Sequence, residues 1–419
     1  MKFSQYHFTD VVIKNIDNLG FKRPTDIQYK AITPILNGED VLAVAQTGTG
    51  KTAAFAIPIV HNLTAKRAEK HSFSPRCLVM VPTHELAMQV ADVFKALVNG
   101  TKLKALALFG GVQQSAQIDT LKKGVDVLVA TPGRMFDIAS QGFLNFQDVE
   151  ILVLDEADYM LELGFLTDMD QLFRRIPRNR QTLFFSATIN PKIKDLAYSL
   201  VRHAVRIHIS PHDPISKNID HSVAYIKMDD KRFFLEHIAK ENPASKIIVF
   251  VRTKVRAERV AKALERVGIS SQTIHGDKDQ QERTLTMDSF KNGVNRILIA
   301  TEVSARGIDI PNVDIVVNYD LPEEAENYVH RVGRTGRGDK RGMAISFCSE
   351  QEREVLKQIE GFLQKPISVA HISKDEYEAT IDFSESAEHD WQSLIEEQNV
   401  FEVNRKAKVK PKSKRKKKK

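Results

Sequence analysis

The sequence predicts an α/β protein: two parallel-sheet domains in tandem, followed by a disordered basic C-terminal tail. Three observations lead there. Short apolar runs alternate with helical patterns, the signature of a parallel sheet with helices on both faces. The alternation breaks at Ser210-Pro211-His212-Asp213-Pro214, where two prolines flank polar residues, and then restarts. Residues 404–419 hold 11 Lys or Arg and no acid, too charged and too poor in apolar groups to fold alone.

Each element has its own reason. In the first domain, 1–208, the run Val41-Leu42-Ala43-Val44 opens the sheet. Buried-strand runs follow at 77–81, 125–129, 151–154 and 182–185, with a weaker one at 105–109. A helical pattern spans 85–98. Residues 209–218 form the linker. In the second domain, 219–370, strand runs lie at 246–250, 272–274, 296–300 and 314–317. Residues 371–403 carry 10 acids against Lys374 and include Trp391, the only tryptophan. This acidic segment precedes the basic tail.

Composition narrows the class. With 419 residues, 42% of them hydrophobic and 27% charged, the chain is an ordinary globular protein of two or three domains. No apolar run approaches a membrane span, and the N-terminus has no apolar signal core, so a cytoplasmic protein without membrane contact is expected. Cys77 and Cys348 stand far apart without metal-ligand spacing, as core residues of a reducing compartment do. The net charge of +7 is a mildly basic body, an acidic segment and a strongly basic tail. Such a tail suits nucleic acid or another polyanion.

The motif that organises the chain follows the first strand run: Ala45-Gln46-Thr47-Gly48-Thr49-Gly50-Lys51-Thr52. A glycine-rich turn between strand and helix aims several backbone N–H groups at one anion, and the helix adds its positive end. Lys51 supplies a point charge for outer phosphates, and the Thr52 hydroxyl suits Mg²⁺. Ala45 stands where this P-loop pattern has its first glycine.

The other strand runs end in chemistry too. Ligands in open α/β sheets bind beyond the carboxyl ends of the strands. There lie Pro82-Thr83-His84-Glu85, Gly110-Gly111, Thr131-Pro132-Gly133-Arg134, Asp155-Glu156-Ala157-Asp158 and Ser186-Ala187-Thr188. An acid at a strand end near a P-loop, here Asp155, suits Mg²⁺ held through water. Its neighbour Glu156 suits the base that deprotonates an attacking water. In the second domain, His330-Arg331-Val332-Gly333-Arg334-Thr335-Gly336-Arg337 gathers three arginines and two glycines. An isolated Arg-Gly run is more often a surface loop. A P-loop domain without its own arginine finger changes those odds.

Together these residues resemble the DEAD-box ATP-dependent RNA helicases of helicase superfamily two, over about 1–365 and in the family's order. Asp155-Glu156-Ala157-Asp158 is the name-giving motif, and Phe21-Lys22-Arg23-Pro24-Thr25-Asp26-Ile27-Gln28 resembles the Q motif. The resemblance implies two RecA-like domains whose cleft ATP and RNA close. It implies that Gln28 reads the edge of adenine, that Phe21 packs on its ring, and that Phe3 is the upstream aromatic. An amide both donates and accepts, as adenine's edge requires. Ser186 and Thr188 would couple hydrolysis to strand separation, with His330 beside the Arg334 and Arg337 fingers. Gly307 and Asp309 would touch ATP from the second domain. The implied RNA track is Pro82, Thr83, Gly110, Gly111, Thr131, Pro132, Gly133 and Arg134, then Arg252, Thr253, Gln280, Arg283 and Thr301. Two residues depart from the family pattern: His84 replaces an arginine, and Glu302 an aspartate.

The expected activity is therefore local, sequence-independent unwinding of RNA duplexes driven by ATP and Mg²⁺, in a monomer serving ribosome assembly or RNA turnover. The alternative is an ATP-gated RNA clamp, a remodelling platform for RNA–protein assemblies. The short ends of the chain resemble the bacterial RhlE-type subgroup.

Overall fold

Apolar runs that must be shielded on both faces become the strands of two sheets. The computed structural model describes residues 2–46, 48–65, 73–189, 191–209, 215–301, 313–336 and 340–385. In the first lobe the strands are β1 (Val41–Ala45), β2 (Cys77–Met80), β3 (Ala105–Leu108), β4 (Val127–Ala130), β5 (Ile151–Leu154), β6 (Gln181–Ser186) and β7 (Val205–Ile209). The second lobe has β8 (Ile219–Tyr225), β9 (Ile247–Val251), β10 (Gln272–Ile274), β11 (Ile297–Thr301), β12 (Ile315–Asn318), β13 (Gly342–Cys348) and β14 (Ser368–Val369). The orders are β3-β4-β2-β5-β6-β1-β7 and β10-β11-β9-β12-β13-β8-β14. Every pairing is parallel, so all carboxyl ends of a sheet share one edge.

Alternation across the pleat sends side chains into two cores per sheet. Val41, Ala43 and Ala45 of β1 join Phe55 and Phe185 on one face, and Leu42 joins Leu152 and Phe184 on the other. The second sheet divides likewise, with Ile248 and Phe250 on one side and Ile247 and Val249 on the other. Among the described residues no helix is long and apolar enough to cross a membrane.

Four strands lie outside the apolar runs. In β7 exposed Arg206 and His208 alternate with Val205, Ile207 and Ile209. It is the outer strand, so half of its side chains need no apolar partner. β8 and β13 carry polar residues within, and β14 has two residues. The domain edges shift accordingly. Strand β7 runs through Ile209, one residue past the expected end of the first domain. Ile215, placed in the linker by its sequence, is buried in the second core. Beyond 370, within the segment read as acidic, a helix spans Lys374–Glu385. Its Tyr377 ring lies 4.9 Å from Phe234 of the second lobe.

Candidate functional site

The sheet order gathers three motifs on adjacent strands: the P-loop after β1, Ser186-Ala187-Thr188 at β6 and Asp155-Glu156 after β5. The P-loop turns through Gly48 and Gly50, the latter at φ +92°. Thr49 Oγ1 donates to Gln46 O at 2.7 Å and braces the turn. A Cβ on Gly50 would meet Gln28 Nε2 at 2.5 Å, so both conformation and space require glycine there. Helix Lys51–Ala65 starts at once. The Lys51 ammonium is buried and has no hydrogen-bond partner among the described residues. An unpaired buried cation is costly. Its place at the mouth of a turn of backbone donors fits a phosphate.

Gln28 is engaged at both ends of its amide. Oε1 accepts from Thr25 N at 3.0 Å, and Nε2 donates to Gly50 O at 3.1 Å. One proton on Nε2 and one lone pair on Oε1 are left, enough for a single donor–acceptor edge. Phe21 and Phe3 lie together, ring centroids 6.4 Å apart.

Asp155 and Glu156 leave β5 in a tight turn. Asp155 N donates to Met80 O at 3.0 Å, and Asp155 Oδ1 accepts from Glu156 N at 3.0 Å. Glu156 adopts φ 53°, ψ 48°, a left-handed backbone that a residue with a Cβ rarely takes. Burial raises the Glu156 pKa to about 7; Lys51 opposes the rise, Asp155 adds to it, and Arg334 of the second lobe opposes it. Burial also raises that of Asp155, against the pull of Lys51. Lys51 thus acts on both acids, and Glu156 also feels a cation from the second lobe.

Asp158, unassigned by the sequence reading, joins two motifs. Its Oδ2 accepts from Ala187 N at 3.0 Å, Thr188 N at 2.9 Å and Thr188 Oγ1 at 3.1 Å. The signal was present: a second acid one helical step beyond Asp155, facing the next strand's end. Ser186 Oγ is buried without a partner among the described residues.

In the second lobe, Arg334 is 5% exposed and its Nε donates to His330 O at 3.1 Å. Arg331, also without an assigned role, is structural. Its Nη1 donates to Asp320 O at 2.7 Å, and its guanidinium lies over the Phe250 ring.

The proposed RNA residues divide in two. Thr83 caps helix His84–Leu97 through Leu86 N, Thr253 caps Lys254–Arg266 through Arg256 N, and Thr131 and Pro132 begin Pro132–Ser140. Gly133 follows in that first turn, and Pro82 is buried just before Thr83. Arg134 donates to Gln117 Oε1 at 2.7 Å and to Val112 O at 3.1 Å. Arg252 N donates to Asp320 Oδ2 at 2.8 Å, and Thr301 ends β11. These stay on their own lobes.

Gln280 and Arg283 cross to the other lobe. Arg283 Nη2 is 2.6 Å from Glu85 Oε1, and Gln280 Oε1 is 3.1 Å from His84 Nδ1. Gly111, at φ +76°, leaves no room for a Cβ against Gln280 Cβ, which it would meet at 2.8 Å. His84, facing Gly110 and Phe109, is therefore part of the seam between lobes. Thr47, Glu302, Gly307, Asp309 and Arg337 lie outside the described residues, as does the tail. Among the described residues no group of three or more His, Cys, Asp or Glu could hold a metal alone.

Residues 25–196 match the DEAD/DEAH box helicase family, and residues 230–339 match the helicase conserved C-terminal domain. The chain is 38% identical over 378 residues to the ATP-dependent RNA helicase RhlB of Shewanella frigidimarina, covering 89% of this chain and 87% of that one. It is 39% identical over 369 residues to the ATP-dependent RNA helicase DeaD of Haemophilus influenzae, covering 87% of this chain and 59% of that longer relative. Among solved structures, S. cerevisiae Dbp5 bound to RNA and ADP BeF3 matches with a TM-score of 0.79 and 29% identity, over 92% of this chain and 99% of that one. The RhlE-type likeness rests on the sequence alone.

Proposed function

This chain belongs to the DEAD-box family of ATP-dependent RNA helicases, and from that premise we propose how its own residues divide the work. The Gly48–Gly50 turn and Lys51 hold the phosphates. Gln28 gives its remaining proton and lone pair to adenine's edge while Phe21 packs on the ring. Glu156 takes a proton from the attacking water as the bond to the terminal phosphorus forms and the bridging oxygen leaves. Thr52 through its hydroxyl and Asp155 through water would hold Mg²⁺ beside the phosphates, and the ion would supply neutralising charge there. Arg334, with Arg337, meets the charge that develops on the terminal phosphate.

The single observation that carries this reading is the arrangement around Lys51. A buried, unpartnered ammonium acts on both buried acids, and an arginine from the other lobe acts on Glu156 beside it. The RNA residues of both lobes grip phosphates and 2′-hydroxyls with little sequence reading, so unwinding is local and sequence-independent. The chain acts as a monomer on ribosomal or decaying RNA in the cytoplasm, a setting that suits its two buried free cysteines.

Arg334→Ala in the full chain tests the assignment. RNA-stimulated hydrolysis falls by roughly a thousandfold while ATP binding persists. Turnover within tenfold of the parent chain would remove Arg334 from the reaction.

A further inference from the structure

Strand β7 and the helix Pro191–Leu200 beside it carry a charged face that none of these roles uses. Over residues 191–208 the sequence sets Lys192, Lys194, Arg202 and Arg206 against one acid, Asp195. All five are exposed. Several surface lysines elsewhere sit beside acids, as Lys95 does with Asp92 and Lys357 with Glu354. Among the described residues, none of these four cations makes an ion pair. Unscreened like charges on one face repel, and that repulsion is relieved by a polyanion.

An aromatic ring stands in the middle. Tyr198 is 40% exposed. The Arg206 guanidinium lies 4.9 Å from its ring centroid, and the Lys194 ammonium 5.9 Å. The register explains the grouping. Arg206 pairs with Leu42, whose side chain shares a core with Leu196 and Leu200. Arg206 is thus on the side of the sheet where the helix packs, exposed at its margin, and Lys194 and Tyr198 lie one helical turn apart on the helix's outer side. Cations gathered at an accessible ring combine the phosphate contact and the stacking surface that hold a nucleic-acid strand.

Topology makes this a separate place. The proposed RNA residues Pro82, Gly110 and Thr131 follow β2, β3 and β4, at one end of the sheet. The ATP residues follow β5, β6 and β1, and β7 lies beyond them at the other end. At about 4.8 Å per strand, roughly 20–30 Å separate the two surfaces.

We propose that Lys194, Tyr198 and Arg206 form a second RNA-binding surface, which holds a stretch of RNA flanking the one engaged across the cleft. The bound class is the RNA chain itself, through its phosphates and one unstacked base. The inference goes beyond the division of labour proposed above, which ends at β1. It uses that reading only to place the other stretch.

The test compares RNA lengths on the full chain. At about 3.4 Å per stacked nucleotide, six nucleotides span about 20 Å and thirty about 100 Å. The triple variant Lys194→Ala, Tyr198→Ala, Arg206→Ala weakens binding of a 30-nucleotide RNA at least about fivefold. The slope of log affinity against log salt flattens by about 1.4, since two phosphate contacts are lost at about 0.7 each. Binding of the hexamer and ATP turnover at saturating RNA stay unchanged. A parent-like affinity for the 30-nucleotide RNA overturns the proposal, and so does an equal loss for both lengths. Loss of the hexamer's stimulation in the parent chain would instead count against the cleft track. A second measurement needs no variant: 4-thiouridine in the 30-nucleotide RNA crosslinks to peptides within 191–208. Crosslinks confined to the cleft residues overturn the proposal; an acidic protein as the true occupant would give that result.

Discussion

At the scale of single residues, Glu156 carries the sharpest chemistry. Its left-handed backbone and burial are unfavourable for an ordinary turn residue, and strained conformations of this kind gather at active sites. A base must be ionised to accept a proton. With a pKa near 7, Glu156 is mostly protonated below that pH and mostly ionised above it. ATP turnover per unit of ATP at low ATP therefore rises with pH through about 7. Arg334 holds this pKa down, so Arg334→Ala moves the rising limb to higher pH. Glu156→Gln keeps the shape and loses the base: ATP and RNA still bind, and turnover drops at least about a hundredfold. A pH–rate profile and a binding titration check both. Gln28 gives a second outcome at this scale. Gln28→Ala removes the edge offered to adenine, so the preference for ATP over GTP erodes, as ATPase and GTPase rates measured side by side will report. The variant also loosens Gly50, which Gln28 Nε2 holds, so binding of both nucleotides weakens.

At the scale of elements, the legible part was whatever burial forces into apolar runs. Strands β1, β2, β4 and β5 are shielded on both faces, and their composition announces them. The outer strand β7 alternates because one face meets water, and β14 is too short to have a pattern. The catalytic motifs were legible because a P-loop and paired acids need specific residue types at fixed spacing. The acid at Asp158 was legible within that spacing, but its partner was not, since Thr188 arrives from another strand. The seam was hidden for the same reason. Gln280 and Arg283 lie on helix Gln280–Lys291, His84 and Glu85 on helix His84–Leu97, and only the fold brings them together. Arg283 and Glu85 are well shielded, so their ion pair couples by about 0.5–3 kcal/mol, the range for contacting residues. Arg283→Ala, Glu85→Ala and the double variant form a cycle that reads this coupling in the RNA concentration for half-maximal ATPase. Strictly additive effects would show that the pair does not hold the lobes together.

At the scale of the whole molecule, the two sheets present their carboxyl edges to each other, and the site is built from both. The charge distribution extends this plan past the lobes. Helix Lys374–Glu385 is held to the second lobe by Tyr377, whose hydroxyl donates to Asp230 Oδ2 at 2.8 Å and accepts from Lys227 N at 3.0 Å. The acidic remainder and then 404–419 follow from that anchor. With 11 Lys or Arg and no acid, residues 404–419 carry the charge expected to attract RNA electrostatically and without sequence preference. Each phosphate neutralised on a single strand steepens log affinity against log salt by about 0.7. Deleting 404–419 therefore weakens RNA binding at low salt, flattens the slope, and brings the two chains' affinities together as salt rises. ATP turnover at saturating RNA stays the same, because no group assigned to the reaction is removed. RNA affinity measured at several salt concentrations, full chain against truncated, decides the matter. Superimposable slopes would mean that the tail serves solubility or addressing and leaves RNA capture to the lobes.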